Sequence, residues 1–158
     1  MFGERSPFYN PEARGAFLGI RHWHGKKHLV RSIMEGVAFS IANCMDAIQA
    51  VAHKRGEQVN VLRTGKSGGS QLSLWRQIIA DALDQGLEVA DVDEPGCLGA
   101  ALLAGVGTGF YEDLESAIQG TVHITTRSTP DPTRAALYRD LRSTFNKTYH
   151  TLESQLYT

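Results

Sequence analysis

The chain has 158 residues, of which 42% are hydrophobic and 21% charged, and its formal net charge is −1. These values are typical of a globular domain with a hydrophobic core, and the small charge argues against a nucleic-acid partner. No apolar run is long enough to cross a bilayer, and the first residues lack the apolar core of a signal peptide. We therefore expect a cytoplasmic protein without a membrane partner, and the isolated Cys44 and Cys97 agree with a reducing compartment.

The first 25 residues are rich in glycine, proline and charge, which predicts an irregular loop region. For Glu4, Arg5 and Arg14 we expect ion pairs that brace this loop rather than a catalytic role. His24 and His28 could share a helix face, but no carboxylate or thiol completes a nearby ligand set. We therefore expect no metal site.

A long helix is predicted over residues 26–52, because apolar residues recur there at helical spacing. Gly36 lowers helix propensity, so we expect it to mark a close packing contact. Gly56 is placed to end the helix. The main apolar stripe consists of Leu29, Ile33, Val37, Ile41, Met45 and Ile48.

The stretch 59–83 predicts a strand, a glycine-rich turn and a helix. Val59, Val61 and Leu62 form a short apolar run that suits a buried strand. We call residues 65–71 the glycine turn; it contains Gly65, Gly68 and Gly69. The helix that follows has an apolar stripe of Leu74, Trp75, Ile78, Ile79, Ala82 and Leu83, and we expect Trp75 and Ile79 to hold it in the core.

The N-terminus of that helix carries the candidate binding site. Ser73 is the predicted N-cap, with Ser70 as an alternative. A glycine turn at a helix N-terminus offers unbonded N–H groups and a positive dipole end, where nucleotides and phosphates often bind. A tight strand-to-helix turn without any ligand remains the alternative, since such turns are common in α/β proteins.

Two familiar phosphate motifs do not match the glycine turn. Gly65-Lys66-Ser67 looks like the end of a P-loop, but Asn60 stands where that motif needs its first glycine. The glycines also lack the spacing of a dinucleotide-binding turn.

The rest of the chain predicts further alternation of strand and helix. A strand is expected at residues 87–92, a small-residue helix at 97–106 and a short helix at 111–120, followed by weak strand character at 122–126. The last helix, over 133–152, has a stripe expected to face the core: Leu137, Leu141, Phe145, Tyr149 and Leu152. Alternating elements favour α/β layering.

We identify no catalytic residue from these patterns. Asp46, Asp81 and Asp84 all fall on or at the end of a predicted helix, and we expect them to be solvated.

Several segments resemble the FGGY family of carbohydrate kinases, which includes xylulokinase, ribulokinase and glycerol kinase. The glycine turn and its helix, SGGSQLSLWRQIIADAL, resemble the family's adenosine-side loop and helix. Ser67 and Leu72 depart from the usual glycine and small polar residue. Three further segments resemble the family in the same order: GERSP leading into NPEARG, then EGVAF, then GAALLA.

The resemblance implies an α/β, ribonuclease H-like domain of the actin and hexokinase type, present here as an incomplete copy. Residues 1–158 would be the C-terminal, adenosine-side portion of a sugar kinase, with the N-terminal catalytic and sugar-binding domain absent. The cofactor would be ATP, with Mg²⁺ in the complete enzyme. Gly68 and Gly69 would line the base or ribose with backbone, and Ser67, Ser70 and Gln71 would supply hydrogen bonds.

The parent reaction would transfer the ATP γ-phosphate to a hydroxyl of a sugar or polyol, with a pentulose such as xylulose favoured. The partners would be ATP or ADP, and a sugar only together with the missing domain; a homodimer or a separately encoded N-terminal half is also considered. We expect the isolated chain to be inactive. The alternatives are an inactive kinase remnant that acts as an interaction module and, less favoured, another actin-like ATPase such as an acetate-kinase or chaperone type.

Overall fold

The computed structural model describes residues 3–156, which form five helices, three strands and a single 3₁₀ turn at Gly68–Gln71. Each predicted helix is present, with its ends shifted by a few residues. The elements in chain order are α1 Lys26–Lys54, β1 Val61–Thr64, α2 Ser73–Leu83, β2 Gly86–Ala90, α3 Pro95–Gly107, α4 Leu114–Thr121, β3 Ile124–Ser128 and α5 Pro132–Leu156.

The three strands form one mixed sheet in the order β1-β2-β3. β1 pairs with β2 in parallel, with Leu62 opposite Leu87, and β2 pairs with β3 antiparallel, with Glu88 opposite Arg127. The weak strand character predicted for residues 122–126 thus corresponds to β3, which begins two residues later. Within the described residues β1 has a neighbour on one side only, so its other edge is free.

The core lies between the sheet and a layer made by α1 and α2. Ile78 and Ala80 of α2 and Ala38 of α1 are almost completely buried, and Leu87 closes the core from the sheet. Ile79 belongs to this cluster and Trp75 packs against it, as expected, but Trp75 is only partly buried and lies at the edge of the core. The cluster consists of Ala38, Phe39, Ile78, Ile79, Ala80, Ala82, Leu87 and Tyr138.

The apolar stripe predicted along α1 is only partly buried. Met45 is buried, but Ile33, Val37 and Ile48 are each about half exposed, at 55%, 47% and 50%. The buried residues of α1 are Ala38, Phe39, Ala42, Met45 and Ala52. Only Met45 among them belongs to the predicted stripe. Gly36 faces α5, where an added Cβ would lie 3.6 Å from Phe145, in agreement with the predicted packing contact.

The terminal helix α5 is also turned differently from the prediction. Ala135 and Tyr138 are buried, whereas Leu137 and Leu141 of the predicted stripe are exposed. The hydroxyl of Tyr138 donates to Glu35 over 2.8 Å, so a polar contact anchors this helix to α1 as well. The spacing of apolar residues in the sequence does not predict a polar contact of this kind between two helices.

Asp81 was expected to be solvated, and this is wrong, because only 2% of it is exposed. Its carboxylate accepts hydrogen bonds from Gln77 Nε2 and the Asp131 backbone N–H, both at 2.8 Å, and from Arg134 Nε at 2.6 Å. These bonds tie α2 to the start of α5. Asp46 and Asp84 are exposed, as predicted, and each pairs with an arginine of α5.

The loop that precedes α1 is held by backbone and ring contacts. Glu4 Oε2 accepts from the backbone N–H groups of Phe8 and Tyr9, at 3.1 and 2.7 Å. The ring of Phe8 stacks on Tyr149 of α5 with 4.2 Å between centroids. Glu4 therefore braces the loop by accepting backbone hydrogen bonds, whereas the sequence predicted that an ion pair would do so. Over residues 3–156, no helix has the length and apolar character that a membrane crossing requires.

Candidate nucleotide-side site

The glycine turn leaves the carboxyl end of β1 and passes close to the connection between β2 and α3. The Lys66 backbone N–H donates to the Val92 carbonyl over 2.9 Å. A Cβ on Gly65 would lie 2.6 Å from that carbonyl oxygen and 2.7 Å from Pro95 Cγ. A residue without a side chain is therefore required at position 65 for the two segments to approach this closely.

Ser70 closes the turn on itself. Its hydroxyl lies 2.6 Å from the Gly65 carbonyl and 2.8 Å from the Ser67 carbonyl. It therefore does not cap α2, and Ser73 does not cap it either, because Ser73 is already the first helical residue. The N-cap is Leu72, and no side chain caps the helix there. Both predicted caps are wrong, and the start of α2 presents its N–H groups without a side-chain acceptor.

Two consecutive residues of α2, Trp75 and Arg76, contact the glycine turn and hold it in place. Arg76 Nη1 donates to the Ser70 carbonyl over 2.6 Å. The indole of Trp75 lies against Gly69, where an added Cβ would come within 2.9 Å of Cδ1. Gly69 is thus a glycine because Trp75 packs against it.

Gly68 differs from Gly69 in both conformation and surroundings. Its φ is +62°, in the left-handed region that favours glycine, and an added Cβ would meet no atom within 4 Å. Ser67, Gly68 and Gln71 are exposed, so this part of the turn faces open space. An added side chain would thus have open space at Gly68 but would meet Trp75 at Gly69.

An ion-pair cluster flanks the turn on the side of β2. Lys66 Nζ lies 2.6 Å from Asp91 Oδ1 and 3.6 Å from Asp93 Oδ2. The hydrogen bond to Asp91 raises the pKa of Lys66, and the same bond lowers the pKa of Asp91. The lysine of the apparent Gly65-Lys66-Ser67 motif therefore braces the turn against the β2–α3 connection.

A cavity of about 370 Å³ adjoins the turn. Ser67, Gly69 and Ser70 form part of its wall, and the rest comes from α1, β1, α2 and β2: Ile41, Leu62, Arg63, Thr64, Trp75, Arg76, Ile79 and Leu87. The Nε atom of Arg76 is buried there and has no hydrogen-bond partner among the described residues. The wall of the cavity thus combines five apolar side chains with five polar ones, and the shielded Nε of Arg76 is not itself open to it.

Two other features are not part of this site. An open concavity of about 480 Å³ near the end of α1 contains none of the predicted binding residues. In the histidine cluster, Nδ1 of His24 and of His28 each accept a backbone N–H at 3.1 Å, from Arg21 and Gly25. Among residues 3–156 no group of three or more His, Cys, Asp or Glu is placed to hold a metal ion.

Sequence reasoning found the turn but missed the residues that shape it. The contact of Arg76 with a carbonyl and the contact of Trp75 with Gly69 depend on how the turn folds back over α2. No spacing rule contains that information. The pairing of Lys66 with Asp91 also joins residues 25 positions apart, which a local motif search does not connect.

Comparison with known proteins identifies related sequences. The profile of the FGGY family of carbohydrate kinases, C-terminal domain, matches residues 1–108. The xylulose kinase of Escherichia coli strain K12 is 34% identical over 153 residues, which cover 96% of this chain and 30% of that protein. The chain therefore spans about a third of the length of this relative.

Solved structures show the same fold. A ligand-bound xylulose kinase from Lactobacillus acidophilus matches with a TM-score of 0.86 and 24% identity, covering 99% of this chain and 30% of that one. A Plasmodium falciparum glycerol kinase solved with ADP matches with a TM-score of 0.75 and 25% identity, over 95% of this chain and 29% of that one. The predicted α/β fold of the actin and hexokinase type, present in part, is confirmed.

Proposed function

Since the chain belongs to the FGGY family of carbohydrate kinases, as a match to the C-terminal domain, we propose that it forms the nucleotide-side part of an ATP-dependent carbohydrate kinase. The complete enzyme would transfer the γ-phosphate of ATP to a sugar or polyol hydroxyl, with Mg²⁺ as the metal. Residues 1–158 would act with a catalytic and sugar-binding domain that this chain does not resemble. The E. coli relative favours a pentulose such as xylulose as the acceptor. We expect this chemistry to take place in the cytoplasm.

The glycine turn is the observation that carries the proposal. It leaves the carboxyl end of β1, a parallel strand, which is where ligands bind in open α/β sheets. Gly68 has open space beside it, and the start of α2 has no side-chain cap. Gly68 and Gly69 would line the adenosine with backbone, and Ser67, Ser70 and Gln71 would surround it. The hydroxyl of Ser70 already closes the turn, so its role would be to hold the backbone in place.

A second candidate function has its own supporting observation. Val37 and Ile48 of α1 are about half exposed, and within residues 3–156 no strand pairs with the outer edge of β1. Exposed apolar side chains and unpaired strand edges are surfaces that bind other polypeptides. A catalytically inactive remnant that acts as an interaction module, as a homodimer or with another chain, would use this surface and would not need nucleotide.

A titration with adenosine, ADP and ATP followed by NMR of the labelled chain separates the two candidates. We expect shifts centred on residues 67–71 and affinity no better than about millimolar, roughly −4 kcal/mol, because no opposing phosphate loops clamp the triphosphate. The three ligands should then differ little. Shifts centred on the histidine cluster or α5, or a strong preference for ATP, would contradict the proposed site.

The chain offers a matched pair of glycine variants for this titration. Gly68 and Gly56 both have positive φ, +62° and +74°, and an added Cβ would meet no atom within 4 Å at either position. Gly68→Val and Gly56→Val should therefore strain the backbone similarly, but only Gly68→Val should weaken nucleotide binding. Equal effects would mean that the turn is not the site.

An activity assay completes the test. The pure chain should release no ADP in a coupled assay with a panel of sugars, because the proposal places the catalytic base in the domain that this chain does not resemble. Sugar-dependent turnover above background would show that the proposed division of labour is wrong.

A further inference from the structure

The start of the glycine turn is fixed to the β2–α3 connection by one residue. The Lys66 backbone N–H donates to the Val92 carbonyl over 2.9 Å, and Lys66 Nζ lies 2.6 Å from Asp91 Oδ1. Residues 91 and 92 follow directly on β2, and the Asp91 backbone N–H donates to the His123 carbonyl over 2.8 Å. The main chain and the side chain of Lys66 thus both join the turn to a part of the chain that is itself held by hydrogen bonds.

The turn is held a second time near its other end. Arg76 Nη1 donates to the Ser70 carbonyl over 2.6 Å. Ser67 and Gly68 lie between the two attachments, and both are exposed. The part of the turn that faces open space is therefore short and is held on either side. A backbone that is already fixed in this way loses less conformational entropy when a ligand binds to it, and the ligand binds more tightly as a result.

The surroundings of Lys66 are unsuited to a phosphate group. Nζ has Asp91 at 2.6 Å and Asp93 at 3.6 Å, so one positive and two negative side chains give this cluster a net charge of −1. The hydrogen bond to Asp91 raises the pKa of Lys66 and keeps the ammonium group charged. A phosphate would compete with two carboxylates for this ammonium group, and both carboxylates would repel it. Lys66 is therefore not placed to act as the lysine of a P-loop does.

We propose that Lys66 is a positioning residue of the nucleotide site, which fixes the glycine turn through Asp91 and does not contact the phosphates. The ligand in this proposal rests on the proposed function, in which adenosine lies along the turn. The two roles that a lysine could have here predict opposite effects of its partner. If Lys66 positions the turn, loss of the Asp91 charge weakens nucleotide binding. If Lys66 were a phosphate ligand, the same change would free it and strengthen the binding of ATP.

A titration of matched variants separates the two roles. Adenosine, ADP and ATP are titrated into the labelled chain of 158 residues and followed by NMR. We expect Lys66→Met and Asp91→Asn to raise the Kd by a similar factor, about two- to fivefold, which corresponds to the loss of an exposed ion pair. The factor should be the same for all three ligands, because only a lysine that touches phosphate would distinguish ATP from adenosine. Arg139→Met removes another exposed ion pair, with Asp84, and should leave the Kd unchanged.

Two further measurements report on positioning specifically. Lys66→Arg keeps a cation opposite Asp91 and should recover most of the lost affinity. Adenosine is uncharged, yet its Kd for the parent chain should rise when salt is increased from about 0.05 M to about 0.5 M, because salt screens the ion pair that holds the turn. The Kd of Lys66→Met for adenosine should not change with salt.

Three results would overturn the proposal. They are tighter binding of ATP by Asp91→Asn than by the parent, a loss of ATP binding but not of adenosine binding in Lys66→Met, or an unchanged Kd for every ligand in both variants.

Amide exchange at residues 67–72 in the chain without nucleotide separates this proposal from the proposed function. If the parent binds no nucleotide but these amides exchange faster in Lys66→Met, the hold of Lys66 on the turn stands and the proposed function is contradicted. If the parent binds adenosine with shifts at residues 67–71 and both variants bind it equally well, the proposed function stands and the positioning role is wrong.

Discussion

The two sides of the α1–α2 layer differ in how their polar groups are satisfied. On the side of α5, the buried carboxylate of Asp81 accepts hydrogen bonds from Gln77, Asp131 and Arg134. On the side of β1, the buried Nε of Arg76 has no hydrogen-bond partner among residues 3–156, and apolar residues of α1 are half exposed. We call these the closed side and the open side. The difference shows that the closed side is packed within this chain, whereas the open side exposes apolar side chains of α1 and leaves a buried donor unsatisfied among the described residues.

The largest expected difference between the sides comes from removing one aliphatic side chain from each. Ile78 is 1% exposed within the core, so Ile78→Ala should lower the free energy of unfolding by about 2–5 kcal/mol, through lost burial and the cavity left behind. Val37→Ala on the open side should cost less than about 1 kcal/mol, because Val37 is 47% exposed. Urea denaturation measures both. Similar losses would show that Val37 is already covered in solution.

The next effect concerns the polar contacts of the closed side. Asp81→Asn removes the charge from a buried acceptor with three donors, and we expect a loss of about 2–3 kcal/mol. Asp84→Asn is the matched control, since Asp84 is 55% exposed and pairs with Arg139 at the surface, where pairs contribute about 0–1 kcal/mol. Thermal or urea unfolding decides it. If Asp84→Asn costs as much as Asp81→Asn, the buried network is not what joins α2 to α5.

The prediction of the fold and the errors in burial have a common explanation. Helical spacing and glycine breaks predicted α1, α2 and the turn between β1 and α2 correctly, because those signals are local. Whether Val37 or Ala38 faces the core depends on which elements pack against α1, and the spacing of apolar residues does not determine this. Asp81 was assigned to solvent because its three partners are four, 50 and 53 residues away, and two of these contacts arise only when α5 packs against α2.

The candidate site shows the same limit on a smaller scale. The sequence located the glycine turn at residues 65–71, but it assigned the cap of α2 to Ser73 or Ser70. The hydroxyl of Ser70 has nearer acceptors in the Gly65 and Ser67 carbonyls once the turn has formed. Local hydrogen bonds of this kind compete with capping, and the outcome depends on the backbone geometry of the turn rather than on residue type.

A smaller effect is expected at the boundary between the two sides. Trp75 is partly buried and supports Gly69 with its indole ring. Trp75→Ala should cost about 2 kcal/mol, below the roughly 3–5 kcal/mol of a fully buried aromatic, because part of the ring is already in solvent. Trp75→Phe keeps a ring beneath the turn and should recover much of the loss. The free energy of unfolding measures the first effect, and amide exchange at residues 68–72 reports whether the turn loosens.

The smallest effect is expected for Glu88, on the opposite face of the sheet from the core. Its carboxylate is buried between two arginines that are mostly exposed, with Arg63 Nε at 2.9 Å and Arg127 also in contact. The hydrogen bond from Arg63 lowers the pKa of Glu88; burial opposes this, and Arg127 adds to the lowering. Because the folded-state pKa lies below the unfolded one, the charged form stabilises the fold at neutral pH. That contribution should disappear as the pH falls through the folded-state pKa.

Glu88→Gln keeps the shape of the side chain and removes its titration. The variant should be less stable than the parent near neutral pH, and the difference should shrink below about pH 4, the ordinary range of a glutamate. Exposed arginines limit the size of the effect, since surface pairs contribute little and are screened by salt. Urea unfolding at several pH values measures it. If the difference in unfolding free energy between the two proteins is the same at every pH, the contacts of Glu88 with the two arginines do not depend on its charge. This face of the sheet would then lack the charge-based stabilisation expected around Asp81.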